Sequence, residues 1–169
     1  MSEGSAGEAA DVRQLRALLT GLEQQVHFHV RALDWAESSS SWQLWSRDPG
    51  VPLEAFVAAC GLGVAGAPVG RWEVLTRHQA QRLLLAALGW EQAYDTARLE
   101  LSAAERIATA FVDLFAPDAR FFTNGTVQET SLGLRTRAWY GSITSATFET
   151  GVVAVDERRI GLLYVPDED

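Results

Sequence analysis

The stretch TFETGVVAVDERRIGLLYV (Thr147–Val165) decides the predicted fold. Its two halves, residues 147–155 and 159–165, are rich in β-branched side chains, and the charged pair Asp156-Glu157 lies between them. Two such runs joined by a short polar turn are typical of an antiparallel strand pair. The C-terminal part of the chain is therefore predicted to form part of an antiparallel sheet.

Two segments upstream fit the same sheet. In residues 132–139 an apolar or small series alternates with a second series, which is the period of a strand: Leu132, Leu134, Thr136 and Ala138 against Gly133, Arg135, Arg137 and Trp139. Residues 119–123 are also strand-like, and Asn124-Gly125 is a strong two-residue turn signal that would return the chain along Thr126-Val127. Together these segments predict an antiparallel sheet that begins after Pro117.

The chain before Pro117 has helical spacing instead. Apolar residues recur every three or four positions from Val12 to Leu33, which predicts one long amphipathic helix with Asp11 as its N-cap. Pro52 opens a second predicted helix, which ends at Gly61. Two capping boxes mark the later helices, Thr76 with Gln79 and Ser102 with Glu105. The segment Trp72–Leu75 is expected to lead into the first of these helices.

These patterns predict the α+β class, with a helical N-terminal two-thirds packed on a C-terminal antiparallel sheet. Residues 1–10 are small and polar, so they are expected to be a disordered lead-in. The sequence has no repeat of fixed period and no long linker, and its 169 residues suffice for one core. Residues 11–169 are therefore predicted to form a single domain.

The composition excludes several kinds of chemistry. The formal charge is −8, and the 14 basic residues are all arginine. Without lysine the chain has no Walker A loop, no Schiff base and no Ser–Lys pair. An acidic chain is also a poor binder of phosphate backbones, so no nucleic-acid partner is expected. The sequence contains no run of 18 apolar residues and no signal peptide, which predicts a cytoplasmic protein without membrane association.

Two short motifs resemble cofactor or nucleophile sites by their letters. Gly61, Gly63 and Gly66 spell G-x-G-x-x-G, but a dinucleotide site needs a strand before the glycines and a helix after them. Here a helical pattern precedes and Pro68 follows, so the segment is interpreted as a glycine-rich connection. Cys60 is the only cysteine, and it is interpreted as a small buried apolar side chain. No cofactor and no catalytic residue is predicted.

The histidines do not predict a metal site. His27 and His29 lie on the predicted first helix, where residues i and i+2 point in different directions. If that segment were extended, both rings would face one side, where His78 could join them. No HExxH or comparable carboxylate spacing accompanies them. The prediction is that the chain has no metal centre.

Aromatic and acidic residues carry the predicted binding surface. Tryptophan is enriched among interface anchors, and six are present, three of them within residues 35–45. The acids concentrate near the C-terminus, where they would steer a cationic partner toward the chain. The predicted partner-binding residues are Trp42, Trp45, Trp139, Tyr140, Asp156, Glu157, Asp167 and Glu168.

The sequence thus favours a protein-binding module over an enzyme. We expect an inhibitor or immunity-type protein that occludes the active site of a basic toxin or enzyme. In overall style the chain resembles the immunity proteins of bacterial polymorphic toxins. One alternative is a chaperone for a secreted substrate, which would bind an unfolded segment. The other is a small enzyme whose site is not a linear motif, for example one built from Arg71, Glu73 and His78.

Overall fold

A computed structural model describes residues 9–33, 49–63, 72–91, 96–130, 133–137 and 148–167. In chain order the elements within these ranges are α1 (Ala10–Leu18), β1 (His27–Ala32), α2 (Gly50–Ala59), β2 (Trp72–Leu75), α3 (Arg77–Gly89), α4 (Leu101–Asp113), β3 (Arg120–Asn124), β4 (Thr126–Thr130), β5 (Gly133–Arg137), β6 (Phe148–Val155) and β7 (Arg159–Asp167).

Five strands form one sheet in the order β1-β7-β6-β3-β2, and every neighbouring pair is antiparallel. The predicted pair at the end of the chain is confirmed: β6 and β7 pair from Phe148 opposite Asp167 to Val155 opposite Ile160. Strands β4 and β5 form a separate two-stranded ribbon. The sheet therefore places β7 and β6 at its centre and β1 and β2 at its two ends.

The sheet is covered on both faces, because side chains alternate along each strand. Leu163, Val152 and Phe121 point to one face and belong to a core that includes residues of α1, α3 and α4. Leu162 and Val153 point to the other face and belong to a second core with residues of α2. The central strands thus bury both sides, which explains their continuous apolar runs.

The predicted fold class is wrong in its arrangement. Strands β1 and β2 lie between the helices in sequence, so helices and strands are interspersed. The sheet takes both of its end strands from the part of the chain that was predicted to be helical. The helices do not form a separate N-terminal layer, since three pack on one face and α2 on the other.

The predicted long helix from Val12 to Leu33 is also wrong. Helix α1 ends at Leu18, and a turn follows in which Gly21 has φ +89°, a value that favours glycine. The chain then becomes β1. The spacing misled because Val26, Val30 and Leu33 fit a helix, whereas Phe28 and Val30 also fit one face of a strand.

The signals for the later helices were partly correct. The capping box at Thr76 is confirmed, with the Gln79 N–H 3.1 Å from the Thr76 hydroxyl and the Thr76 N–H 2.9 Å from the Gln79 side chain. The residues before it, Trp72–Leu75, which were expected only to lead into the helix, form strand β2. The box at Ser102 is wrong, because α4 begins at Leu101 without a side-chain cap.

The predicted hairpin at Asn124-Gly125 does not form. Gly125 has φ +101°, as a turn glycine should, but β3 pairs with β2 and β6 on its two sides. Strand β4 pairs with β5 instead. The turn therefore directs the chain out of the main sheet, because both hydrogen-bonding edges of β3 are already occupied.

Candidate functional site: the α1–β1 groove and the α2 stripe

Five of the eight predicted partner-binding residues lie outside the described residues. They are Trp42, Trp45, Trp139, Tyr140 and Glu168. Their role as partner-binding anchors stays a prediction. Residues 1–8 of the expected lead-in are also outside the described ranges, and α1 begins at Ala10.

Two of the other three predicted residues are used inside the fold. Asp156 is 2% exposed, and its carboxylate accepts hydrogen bonds from the backbone N–H groups of Arg158, Arg159 and Ala116. Asp167 pairs with Arg98 at 3.2 Å, with both side chains 8% exposed. Glu157 is the one of the three that is exposed. The acidic cluster read from the sequence is therefore not one surface patch.

The histidines lie differently from the helical prediction. His27 and His29 are on β1, two residues apart, so their side chains leave the same face of the strand. His78 is exposed on α3. Among the described residues no group of three His, Cys, Asp or Glu side chains is placed to hold a metal ion. Cys60 is half-buried, and burial raises the pKa of its thiol.

Of the three residues of the enzyme alternative, Glu73 has a structural partner, His78 is exposed on α3 and Arg71 lies outside the described ranges. The Glu73 carboxylate accepts a hydrogen bond from the Val127 N–H at 3.1 Å, which ties β2 to β4. Arg71 is outside the described residues, as is Gly66 of the glycine-rich segment. Helix α2 precedes Gly61 and Gly63, as the sequence indicated, so the strand that a dinucleotide site requires is missing at that position.

A buried polar chain on the α2 side of the sheet was not found from the sequence. The Tyr164 hydroxyl donates to the Asn124 side-chain carbonyl, and the Asn124 amide donates to Glu149 at 2.7 Å. All three residues are buried. Burial raises the pKa of Tyr164 well above its usual value, and the nearby Glu149 charge adds to this effect. These side chains satisfy one another's hydrogen-bonding groups inside the protein, which suits a structural role.

Two clefts lie between α1 and β1, one beside the first half of the strand and one beside the second. The first has a volume of about 500 Å³, and its lining includes Arg16, Glu23, His27 and His29. The second has a volume of about 370 Å³, and its lining includes Arg31, Arg158 and Arg159. We call the two clefts together the α1–β1 groove. It is rich in cationic side chains although the chain as a whole is acidic.

Local contacts hold the walls of the α1–β1 groove. The guanidinium of Arg16 lies 5.1 Å from the centre of the Phe28 ring, and that of Arg31 lies 5.7 Å from the Phe56 ring. Arg159 binds Asp11 at 2.8 Å and so fixes the start of α1 against β7. Partial burial raises the pKa of the Asp11 carboxyl. The hydrogen bonds that it accepts from Arg159 and from the Val12 N–H outweigh this, so the pKa lies below its usual value.

The position of His29 in the groove makes stability depend on pH. Burial lowers the pKa of His29, and the positive charges of His27 and Arg16 lower it further. The unfolded chain therefore binds a proton at this residue more readily than the folded chain does. The contribution of His29 to the free energy of unfolding is complete above pH 6.5 and is lost as the pH falls below that value. We expect the wild-type chain to lose more stability than His29→Asn between about pH 7.5 and pH 5.

Urea unfolding at both pH values measures this difference. His78→Asn is the matched control, because its side chain is exposed on α3. An equal loss of stability in wild type and His29→Asn would contradict the assignment.

Helix α2 presents an apolar outer side. Of its ten residues, GVPLEAFVAA, only Glu54 is charged. Leu53, Phe56 and Val57 are buried against the sheet. The opposite side exposes residues spaced by helical turns, which we call the α2 stripe: Val51 (58% exposed), Ala55, Ala58 and Ala59. A helix that is apolar all round is normally covered on all sides.

None of the described helices is long and apolar enough to cross a membrane. No protein-family model, curated protein or solved structure matches this chain.

Proposed function

We propose that this chain is a protein-binding module of the inhibitor or immunity type, which acts in the cytoplasm and occludes the active site of a basic toxin or enzyme. The observation that carries the proposal is the α2 stripe. Its apolar side chains gain free energy when a partner covers them, by about 25 cal/mol for each Å² removed from water. A convex helix is also the right shape to enter a concave active site.

The net charge of −8 supports a basic partner, because opposite charges accelerate association. This steering comes from the whole chain rather than from the predicted acidic cluster, since Asp156 and Asp167 are buried. Glu157 remains an exposed candidate for a contact with the partner. Trp42 and Trp45 precede α2 by a few residues in sequence and are proposed as anchors of the complex.

Changing the centre of the α2 stripe tests the proposal. Ala55→Arg places a charge on the exposed side of α2, and arginine is a good helix former, so the fold is retained. We expect the affinity for the partner to fall about a hundredfold, because an unpaired charge would be buried in the interface. The partner is identified by affinity capture from the native host, and its dissociation constant is then measured with purified proteins.

Ala17→Arg is the matched control, since Ala17 is exposed on α1. Wild type and Ala17→Arg should retain one folded, basic protein at equal stoichiometry, and inhibition of its activity should follow binding. Equal affinity of Ala55→Arg and Ala17→Arg, with both circular dichroism spectra unchanged, would contradict the role of the α2 stripe.

A chaperone for a secreted substrate is the second candidate function. The outer edge of β1 favours it, because no other strand among the described residues pairs with that edge and an unpaired strand edge accepts an unfolded segment. The two functions differ in what is bound. An inhibitor retains its partner as a folded domain, whereas a chaperone binds a short disordered segment with the affinity of the whole substrate.

A further inference from the structure

Strand β1 is the last strand at one end of the sheet, and within the described residues it pairs only with β7. The Leu33 N–H donates to the Arg158 carbonyl at 2.8 Å. In an antiparallel pair, every second residue forms such bonds and the residues between them point away. The N–H and C=O groups of Phe28, Val30 and Ala32 therefore point to the outer edge of β1.

The α1–β1 groove follows this outer edge. The lining of its first cleft includes Phe28, and the lining of the second includes Val30 and Ala32. From Phe28 to Ala32 a strand covers roughly 14 Å, so both clefts lie along the same row of outward backbone groups. An occupant that uses both clefts must be extended.

The charges of the groove indicate the chemistry of the occupant. The linings of the two clefts contain four arginines, two histidines and one carboxylate, that of Glu23. Both oxygens of Glu23 accept hydrogen bonds from the Gly21 N–H, which holds this charge in its own turn. Arg31 and Arg158 are exposed. Arg159 already pairs with Asp11, and the charge of Glu23 opposes that of Arg16 in the first cleft. The charge complementarity to carboxylates therefore comes from Arg31 and Arg158 at the second cleft.

We propose that the α1–β1 groove binds an extended acidic segment of a partner protein, which pairs with the outer edge of β1 as an added strand and places its carboxylates beside Arg31 and Arg158 at the second cleft. Main-chain hydrogen bonds to the three outward residues provide affinity, and the arginines provide selectivity for acidic side chains. The site is separate from the α2 stripe and does not depend on the proposed inhibition.

An NMR titration of the ¹⁵N-labelled chain tests the proposal. The probe is a peptide of four Glu-Val repeats, and the matched peptide has four Lys-Val repeats. We expect the acidic peptide to shift the amide signals of Phe28, Val30 and Ala32 with a dissociation constant below about 1 mM, and the basic peptide to leave them unchanged. Free glutamate at the same concentration should not reproduce the shifts.

Two pairs of variants separate backbone pairing from charge. Ala32→Pro removes an outward N–H but leaves the bonds to β7, since proline is tolerated at such edge positions. We expect it to bind about tenfold more weakly than Ala32→Ser, which keeps the N–H. Arg31→Glu should likewise bind about tenfold more weakly than Arg31→Gln and provides the test if Ala32→Pro does not fold.

Several results would overturn the proposal. They are no binding of the acidic peptide at about 1 mM, equal binding of the two peptides, equal shifts with free glutamate, and equal affinities within both variant pairs. If Ala55→Arg lost the partner but still bound the acidic peptide, the two sites would be independent and the α1–β1 groove would stand. If the partner bound through the α2 stripe but the acidic peptide did not bind, only the α2 stripe would stand.

Discussion

Replacing Asp156 by alanine is expected to lower the free energy of unfolding by about 4 kcal/mol. The carboxylate accepts hydrogen bonds from the N–H groups of Arg158 at 2.7 Å, Arg159 at 2.9 Å and Ala116 at 2.8 Å. The first two close the turn between β6 and β7, and the third ties that turn to the end of α4. Alanine would leave three donors without their acceptor at a position that is 2% exposed.

Urea unfolding measures the loss, and two variants calibrate it. Asp156→Asn keeps one acceptor oxygen and should lose about half as much as Asp156→Ala. Glu157→Ala changes the exposed neighbouring acid and should stay within about 0.5 kcal/mol of wild type. If Asp156→Ala were as stable as Glu157→Ala, the internal role of Asp156 would be wrong, and its role as a surface contact would be restored.

This pair of acids illustrates what the sequence could and could not predict. The turn itself was predicted correctly, because strand-like runs on both sides of Asp156-Glu157 leave no other place for it. Which of the two acids faces the protein depends on Ala116, forty residues earlier in the chain. A local pattern contains no information about that contact, so two adjacent acids were assigned one role.

The prediction of the sheet arrangement failed for a similar reason. Residues 27–32 have a spacing that suits both a helix and a strand, and the choice is made by β7, which offers an unoccupied edge more than a hundred residues later. The capping box at Thr76 succeeded because all its contacts lie within four residues. Locality alone was not sufficient, because the equally local box at Ser102 did not form, and the Asn124-Gly125 turn did not give a hairpin once β2 and β6 had occupied both edges of β3.

The candidate surfaces depend even more on tertiary structure. The α2 stripe could have been suspected, because a helix with only Glu54 charged has more apolar surface than one core contact requires. The α1–β1 groove could not, because it exists only once β1 is known to end the sheet. The composition even indicated the opposite charge, since the exposed Arg31 and Arg158 at one cleft are invisible in a net charge of −8.

The second large effect concerns the fit between Gly151 and Tyr164. These residues lie opposite each other on β6 and β7, and the tyrosine ring lies over the glycine. This position brings the Tyr164 hydroxyl to Asn124, which in turn donates to Glu149. A side chain at residue 151 would therefore act on packing and on the buried polar chain at once.

Gly151→Ala is expected to lower the free energy of unfolding by about 3 kcal/mol or more. Its Cβ would lie 2.5 Å from the Leu163 carbonyl oxygen and from the Tyr164 ring, and a backbone atom at the centre of a sheet cannot move away. Gly89→Ala is the matched control: it ends α3, has nothing within 4 Å of the new Cβ, and should gain up to about 1 kcal/mol. Urea unfolding of both variants measures the difference. Because a displaced ring must also lose its Asn124 partner, near-UV circular dichroism of Gly151→Ala should change, and equal stabilities with unchanged spectra would contradict the close approach.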